Sequence, residues 1–266
     1  MTLNEDSMHK EAEKFANSNM MEGFLSIKSV LWGAKHAANT RSIQKVFVSD
    51  RHSGKKEREI SQLKRWAKEF SFPVQTLPLH EIEEMTVGNT HGGMVAICTD
   101  REIPMLRPEH ILPEGSYLML EGIEDPYNFG YALRSAYAAG IDAIILSPRN
   151  WMSAAGVVCR ASAGASERFS MYISDASQAA LMFHQAGYRV VCAEKKNAEP
   201  LTRANLKKPL FLIIGGEKRG ISASTLSLAD QRVCIEYGRP FAASLSAASA
   251  ASILSFEILS QNPTNA

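Results

Sequence analysis

The sequence predicts an α/β protein, with a smaller N-terminal α/β domain and a larger C-terminal domain built on a parallel sheet. Short apolar segments alternate with helical patterns along most of the chain, which is typical of a sheet covered by helices. The apolar segments after residue 114 are continuous, as in parallel strands that are buried on both faces. Three prolines between residues 103 and 113 separate the two regions and predict a linker.

The bulk composition is that of a soluble globular protein. Of 266 residues, 45% are hydrophobic and 21% are charged, and the formal net charge is +1. Because this charge produces no overall basic field, binding to a nucleic acid would depend on a local basic patch. No apolar run approaches the roughly 20 residues that cross a bilayer, and the N-terminus lacks the apolar core of a signal peptide. We therefore expect a cytoplasmic protein without a membrane partner.

The cysteines predict neither a disulfide framework nor a zinc site. They are widely spaced and form no CxxC pair: Cys98, Cys159, Cys192 and Cys234. Isolated buried thiols in a reducing compartment explain this pattern better, so no metal is expected.

The first domain is predicted at residues 21–102, after a polar segment over residues 1–20. Apolar residues recur at three- and four-residue steps from Met21 to Ala38 and predict a first helix. Short apolar runs predict strands over residues 46–48, 74–77 and 94–98. Helices are predicted over residues 56–70 and 79–86.

The linker, residues 103–114, leads into the second domain at residues 115–266. Continuous apolar runs predict strands over residues 117–120, 143–146, 189–193, 210–214 and 233–235. Helices are predicted over residues 131–139, where Gly140 is the expected C-terminal cap, and over residues 246–259. In a doubly wound parallel sheet of this kind, ligands bind beyond the carboxyl ends of the strands.

Three loops that follow predicted strands have the composition of a binding site. In the first, Asp125 and Pro126 favour a turn, and Asn128 and Gly130 tolerate unusual backbone angles beside a helix N-terminus. Arg134 lies about one helical turn beyond Gly130. The loop is therefore either a phosphate site or a turn followed by a surface arginine.

The second loop spans residues 215–220 and reads Gly-Gly-Glu-Lys-Arg-Gly. Its glycines allow a ligand to approach the backbone closely, or they form a tight turn that carries solvated charges. The spacing matches neither a Walker A loop nor the GxGxxG of dinucleotide-binding folds. The third loop, residues 235–246, opens onto a helix rich in alanine and serine, and such small side chains permit close packing of a helix or another segment.

At these loops the chain resembles the SpoU (TrmH-like) branch of the SPOUT RNA methyltransferases. The NxGxxxRxA motif of that branch is matched by Asn128, Gly130, Arg134 and Ala136, and its GxExxG motif is matched by Gly215, Glu217 and Gly220. Ser244-Leu245 matches the family's serine–leucine entry to the last helix, and residues 160–165 resemble its small-residue stretch. The order and spacing hold over about residues 115–260.

The N-terminal domain is similar to the L30e-like RNA-binding domain that many members carry. Residues 91–96 resemble the HQG[VI]A turn of that domain, without the glutamine. The resemblance implies a trefoil knot in the C-terminal domain, S-adenosylmethionine bound in the knot, and a homodimer formed through this domain. It also implies that the product is a ribose 2′-O-methyl group in rRNA or tRNA.

The resemblance also assigns roles to residues. The catalytic positions would be Asn128, Arg134, Glu217 and Ser246, and the cofactor positions would be Gly215, Gly216, Ile235, Tyr237, Ser244 and Leu245. Since a guanidinium group is effectively never deprotonated, we expect Arg134 to bind the neighbouring phosphate and lower the pKa of the ribose hydroxyl. Asn128 would orient Arg134 or the ribose. Glu217 would hold the loop geometry or carry the proton.

The third loop departs from the family pattern IPMxGxxxSLNVSxA in three ways. Glu236 replaces the proline, Ser246 replaces the asparagine, and the loop from Ile235 to Leu245 is one residue longer. Serine retains a hydrogen-bonding hydroxyl but is shorter than asparagine. The alternatives are a subgroup with a different active site and a protein with weakened catalysis.

The sequence is compatible with three functions. They are an RNA methyltransferase, a non-catalytic RNA-binding or ribosome-assembly protein on the same scaffold, and a nucleotide enzyme that acts on a small molecule. Retention of Asn128, Arg134 and Glu217 together favours catalysis. Basic stretches at residues 51–56 and 64–65 are candidate RNA contacts, and solvated helix ends explain each of them taken alone.

Overall fold

The structure is a computed structural model that describes residues 19–36, 38–51, 54–86, 91–123, 125–148, 154–216 and 218–263. Its internal contacts divide the chain into two compact units. The first contains the described residues up to Glu102 together with those from Ala154 to Arg168, and the second contains the others. None of the described helices is long and apolar enough to cross a membrane.

A four-stranded sheet forms the centre of the first unit. Its strands lie in the order β1-β4-β2-β3 and are β1 (Met20–Glu22), β2 (Ile43–Ser49), β3 (Val74–Leu77) and β4 (Met94–Cys98). β4 is antiparallel to both of its neighbours, whereas β2 and β3 are parallel. The helices of this region are α1 (Gly23–Lys35), α2 (Gly54–Glu69) and α3 (Leu79–Met85). Ile27, Val46 and Leu63 are completely buried in the core that these elements share.

The described residues from 154 to 168 also belong to the first unit, although strands of the second unit flank them in the sequence. Helix α5 (Ala155–Ala161) packs against β1 and contributes Ala155 and Cys159 to the first unit's core. The fully buried carboxylate of Glu167 accepts a hydrogen bond from Arg41 at 3.2 Å. The sequence predicts this segment in the second domain, since a linear pattern does not show which core a short apolar helix joins.

Seven strands form one fully parallel sheet in the second unit. They are β5 (Ser116–Glu121), β6 (Ala143–Leu146), β7 (Ser170–Ile173), β8 (Arg189–Ala193), β9 (Glu199–Pro200), β10 (Leu210–Gly215) and β11 (Gln231–Cys234). Their order is β7-β6-β5-β10-β8-β11-β9, and every neighbouring pair is parallel. The predicted α/β architecture with a parallel sheet is confirmed.

The helices of the second unit are α4 (Pro126–Ala138), α6 (Ala176–Gln185), α7 (Ala223–Leu226) and α8 (Ala247–Gln261). The buried ring of Phe183 on α6 stacks on Phe211 of β10, with 4.1 Å between the ring centroids. Helices α4 and α8 pack against each other, and the hydroxyl oxygens of Ser135 and Ser252 lie 2.7 Å apart between them. The small residues of α8 therefore allow close packing against another helix, which is one of the two alternatives that the sequence predicts.

Several elements differ from the predictions. Met21 lies in β1, so the first helix begins two residues later, at Gly23. The sequence predicts neither strands β7 and β9 nor helices α5, α6 and α7. The linker also contains ordered contacts, because the N–H of Leu106 donates to the carbonyl of Ile173 at 2.8 Å and the Leu106 side chain is buried. A proline-rich segment is excluded from the interior of a sheet but can still pair at its edge.

Candidate active site

A cavity of about 200 Å³ lies beyond the carboxyl ends of β8, β10 and β11. This edge of a parallel sheet is where ligands bind in α/β proteins. All six residues that the resemblance assigns to the cofactor line this cavity: Gly215, Gly216, Ile235, Tyr237, Ser244 and Leu245. The structure thus brings the second and third loops together around one space.

The second loop forms a tight turn at the end of β10. A Cβ on Gly215 would lie 2.5 Å from the carbonyl carbon of Gly220, so this position accepts only glycine without a shift of the backbone. The N–H of Gly220 donates to the carbonyl of Gly216 at 3.0 Å and closes the turn. Glu217, one of the predicted catalytic residues, lies outside the described residues.

Hydrogen bonds hold the third loop at both of its ends. The N–H of Leu245 donates to the hydroxyl of Tyr237 at 3.0 Å, which ties the end of the loop to its beginning. The hydroxyl of Thr202 donates to the carboxylate of Glu236 at 3.0 Å. The glutamate at the family's proline position therefore has a hydrogen-bond partner of its own, which helps to position the loop.

The predicted residues of the first loop belong to helix α4. Asp125 caps this helix by accepting hydrogen bonds from the N–H groups of Tyr127 at 3.3 Å and Asn128 at 2.9 Å. The prediction that Asn128 and Gly130 lie in a loop before a helix that starts at Tyr131 is wrong, because the cap starts the helix at Pro126, ahead of both residues. Arg134 is exposed on α4 and is not among the residues that line the cavity.

Ser246 is the N-terminal cap of α8. Its hydroxyl accepts a hydrogen bond from the N–H of Ser249 at 3.1 Å and lies 3.0 Å from the Ser249 hydroxyl. Serine and asparagine are both favoured at this position of a helix, so the replacement of the family's asparagine preserves the cap. The next residue, Ala247, lines the cavity, whereas Ser246 does not.

One carboxylate at the same edge of the sheet has a perturbed pKa. Glu121 is the last residue of β5 and pairs with Gly215 of β10. Burial raises the pKa of Glu121, and the negative charge of Asp175 raises it further, whereas a hydrogen bond from the backbone of Ser222 lowers it. Glu121 therefore holds a proton more readily than an exposed glutamate does.

Sequence reasoning missed the residues that follow β8. Glu194 and Lys195 line the cavity and are the charged side chains among its described lining. The other lining residues that were not predicted are Ala193, Ile214, Gly220, Val233, Cys234, Ala247, Ala250 and Leu254. The sequence contains a signal that could have identified them. It predicts β8, and the residues beyond the carboxyl end of a central parallel strand face the ligand site.

The described candidate RNA contacts of the first unit include exposed cations and one that makes a hydrogen bond within the protein. Arg51, Lys64 and Arg65 have exposed side chains. Lys56 donates from Nζ to the carbonyl oxygen of Gly92, so it supports the turn before β4. His52 and Ser53, also in the predicted basic stretch, lie outside the described residues. Among the described side chains of these two stretches, three exposed cations therefore remain as candidates for phosphate contact.

Both parts of the chain match known protein families. Residues 115–256 match the SpoU rRNA Methylase family, and residues 22–104 match the family described as RNA 2′-O ribose methyltransferase substrate binding. A Staphylococcus haemolyticus protein assigned to the TrmH family of tRNA/rRNA methyltransferases is 27% identical over 228 residues, which are 82% of this chain and 88% of that protein. The 23S rRNA (guanosine-2′-O-)-methyltransferase RlmB of Shewanella oneidensis is 27% identical over 189 residues, 68% of this chain and 76% of its own.

Solved structures share the fold over nearly the whole chain. The AdoMet-bound rRNA methyltransferase from Sinorhizobium meliloti superposes with a TM-score of 0.76 at 20% identity, covering 99% of this chain and 98% of that one. The match to the SpoU family spans more than half of the chain, and the fold agrees with that of the solved methyltransferase structure, so membership in this family is established. The chain belongs to the SpoU rRNA methylase family, and its N-terminal part belongs to the substrate-binding family of RNA 2′-O ribose methyltransferases.

Proposed function

We propose that this chain transfers a methyl group from S-adenosylmethionine to the 2′-hydroxyl of a ribose in rRNA or tRNA, with the cofactor in the cavity beyond β8, β10 and β11. One observation carries the proposal. The six residues at the family's cofactor positions come from two separate loops, and all of them line this single cavity.

The lining suits an adenosine ligand. Ile214, Ile235 and Leu245 supply apolar side chains, and Gly215 and Gly216 leave backbone N–H and C=O groups accessible for hydrogen bonds. S-adenosylmethionine would supply an electrophilic methyl group here. The chain's own contribution is to hold the reacting groups in line, and such positioning can supply roughly 7–11 kcal/mol of catalysis.

Arg134, at the family's catalytic position, would bind the RNA backbone next to the target ribose. Its exposed guanidinium group would donate hydrogen bonds to the phosphate and stabilise the developing alkoxide, which would lower the pKa of the 2′-hydroxyl. Asn128, on the same helix, would orient the ribose or Arg134. Glu217 would accept the proton or support the second loop. Ser246 would act through the cap of α8, since the helix already uses its hydroxyl.

The test is label transfer from S-adenosylmethionine to total RNA from cells that lack this protein, followed by mapping of the modified nucleotide. We expect Arg134→Ala to abolish transfer while S-adenosylhomocysteine still binds. Arg203→Ala, at another exposed arginine of the second unit, is the matched control and should retain activity. If the wild-type protein binds both cofactor and RNA but labels no RNA, a non-catalytic RNA-binding role on the same scaffold replaces this proposal.

A homodimer formed through the second unit is also part of the proposal. Helices α4 and α8 expose large apolar side chains: Tyr131 and Phe256 are each 49% exposed, and Ile253 is 39% exposed. Exposed apolar side chains on two helices that pack together are typical of a surface that a partner covers. Sedimentation of the wild type and of Phe256→Asp would measure this, and a wild-type monomer at micromolar concentration would contradict it.

The domain assignments remain proposals as well. Residues 21–102 would form an L30e-like substrate-binding domain, residues 103–114 a linker, and residues 115–266 a methyltransferase domain with a trefoil knot, in a cytoplasmic enzyme. The strand and helix alternation of each unit supports this division. The first unit's core also includes Ala155 and Cys159. A fragment limited to residues 21–102 would lack both side chains, so we expect it to unfold more easily than the same fold in the full chain.

A further inference from the structure

Two charged residues without an assigned role lie at the cavity, directly after β8. The carboxylate of Glu194 accepts hydrogen bonds from the N–H groups of Lys195 at 2.7 Å and Lys196 at 3.4 Å. These bonds fix the backbone of the turn that leaves the strand. The Lys195 side chain therefore projects from a defined position at the rim of the cavity.

Lys195 contacts the third loop at two places that are six residues apart. Its Nζ donates a hydrogen bond to the carbonyl oxygen of Ala243 at 3.0 Å. The same ammonium group lies 5.1 Å from the centroid of the Tyr237 ring, within the range of a cation–π interaction. One side chain from the β8 turn thus joins the beginning and the end of the loop.

The other contacts of the loop lie at its surface: Glu236 accepts a hydrogen bond from Thr202 at 3.0 Å, and the rings of Tyr237 and Phe241 lie 6.1 Å apart. All residues from Gly238 to Ser244 are exposed. The half-buried Tyr237 provides the internal tie, because its hydroxyl accepts the N–H of Leu245 at 3.0 Å. Since a loop with few buried contacts opens easily, the contacts of Lys195 have a large share in determining how often this loop is closed.

We propose that Lys195 is a positioning residue, which fastens the loop of residues 236–244 over the cofactor cavity through Tyr237 and Ala243. The inference rests on the proposed placement of the cofactor in this cavity. When the binding-competent form is only partly populated, the apparent affinity falls by the populated fraction for every ligand that needs that form. Loss of Lys195 should therefore weaken all adenosine ligands of the cavity by the same factor.

The experiment compares two ligands that differ in the amino-acid part. S-adenosylhomocysteine carries a carboxylate and an ammonium group, whereas 5′-methylthioadenosine has neither. For Lys195→Met we expect the Kd of both ligands to rise by about ten-fold, the combined effect of one hydrogen bond and one exposed cation–π contact. Lys195→Arg should restore most of the affinity, because a guanidinium group can also donate to Ala243 and stack on Tyr237.

The matched control is Lys196→Met, which removes the same charge from the neighbouring exposed position. Its affinities for both ligands should equal those of the wild type. A second measurement needs no ligand: chymotrypsin should cleave after Phe241, which is 61% exposed, several-fold faster in Lys195→Met than in the control. Thermal melting should be unchanged in all three variants.

The possible outcomes distinguish a wrong role for Lys195 from a wrong cofactor site. If Lys195→Met weakens S-adenosylhomocysteine alone, the ammonium group pairs with the ligand carboxylate and does not fasten the loop. Unchanged affinities and unchanged cleavage would also overturn the inference. If the wild type binds neither ligand, the proposed cofactor site is wrong, and the cleavage rates still decide whether Lys195 holds the loop.

Discussion

A Cβ atom on Gly216 would lie 1.9 Å from the carbonyl oxygen of Gly122. These two glycines follow β10 and β5, which are neighbours in the sheet, so the second loop rests directly on the backbone of the first. The contact leaves no space for a side chain. The shape of the cavity floor therefore depends on Gly216.

Gly216→Ala should distort this floor, because a backbone carbonyl cannot move aside as the end of a flexible side chain can. We expect a loss of about 1–3 kcal/mol in the free energy of unfolding and a marked fall in affinity for S-adenosylhomocysteine. Gly238→Ala is the control, since no atom lies within 4 Å of a Cβ at that position. Calorimetric titration and thermal unfolding measure both effects, and equal behaviour of the two variants would contradict the steric explanation.

The buried ion pair of the first unit predicts a large effect on stability. Arg41 and Glu167 lie 3.2 Å apart with 2% and 0% of their side chains exposed. Arg41→Met would leave the Glu167 carboxylate buried without its cation, which costs about 3–5 kcal/mol. Denaturant unfolding of the variant measures the loss.

An exposed ion pair provides the control for that experiment. Arg107 and Glu109 lie 3.8 Å apart with 69% and 62% of their side chains exposed, so Arg107→Met should cost at most about 1 kcal/mol. The double variant Arg41→Met, Glu167→Leu should recover part of the lost stability, since the carboxylate that lost its partner is removed as well. A double variant as unstable as Arg41→Met alone would show that the pair is not the cause.

Two substitutions of Ser246, the cap of α8, can distinguish its effect on stability from its effect on catalysis. Ser246→Ala removes the acceptor of the Ser249 N–H and should destabilise the protein by about 0.5–2 kcal/mol, whereas Ser246→Asn should leave stability unchanged. Labelled methyl transfer by Ser246→Asn then tests the side chain itself. Activity equal to that of the wild type supports a role through the cap, and a large increase would show that serine at this position weakens catalysis.

A thiol at the cavity reports on ligand binding. Cys234 lines the cavity and is only partly buried. Burial raises the pKa of Cys159 and Cys192 to about 12, so both remain protonated and unreactive at pH 8. We expect Ellman's reagent to modify Cys234 first and S-adenosylhomocysteine to slow this reaction. A ligand that binds without changing the rate, or rapid labelling that survives Cys234→Ser, would place the ligand elsewhere.

The raised thiol pKa values also predict how stability depends on pH. In the folded state Cys159 and Cys192 titrate near pH 12, above the ordinary value of 9.0. The folded state therefore favours the protonated form, and this contribution is complete below pH of about 9 and is lost as the pH rises towards 12. The free energy of unfolding, measured between pH 8 and 11, should stay level up to about pH 9 and fall above it, and Cys192→Ala should reduce this fall.

Some parts of the fold followed from local patterns. The predicted bounds of β3, β4 and β8 agree with the structure residue for residue, because continuous apolar runs between polar turns leave few alternatives. The sequence predicts the start of α4 at Tyr131, five residues after its actual start at Pro126. The aspartate–proline pair is typical of a turn, but here Asp125 acts as a helix cap followed by a proline in the first turn.

By itself, the sequence determined the α/β architecture, the family, and the loops that surround the cavity. Strand identity and loop composition depend on neighbouring residues, so a linear pattern contains them. The tertiary structure alone decided that α5 joins the core of the first unit, that Glu167 pairs with Arg41, and that Lys195 reaches Ala243. The two side-chain contacts join residues that are 48 and 126 positions apart. Such pairings follow from strand order and core packing, which no local pattern specifies.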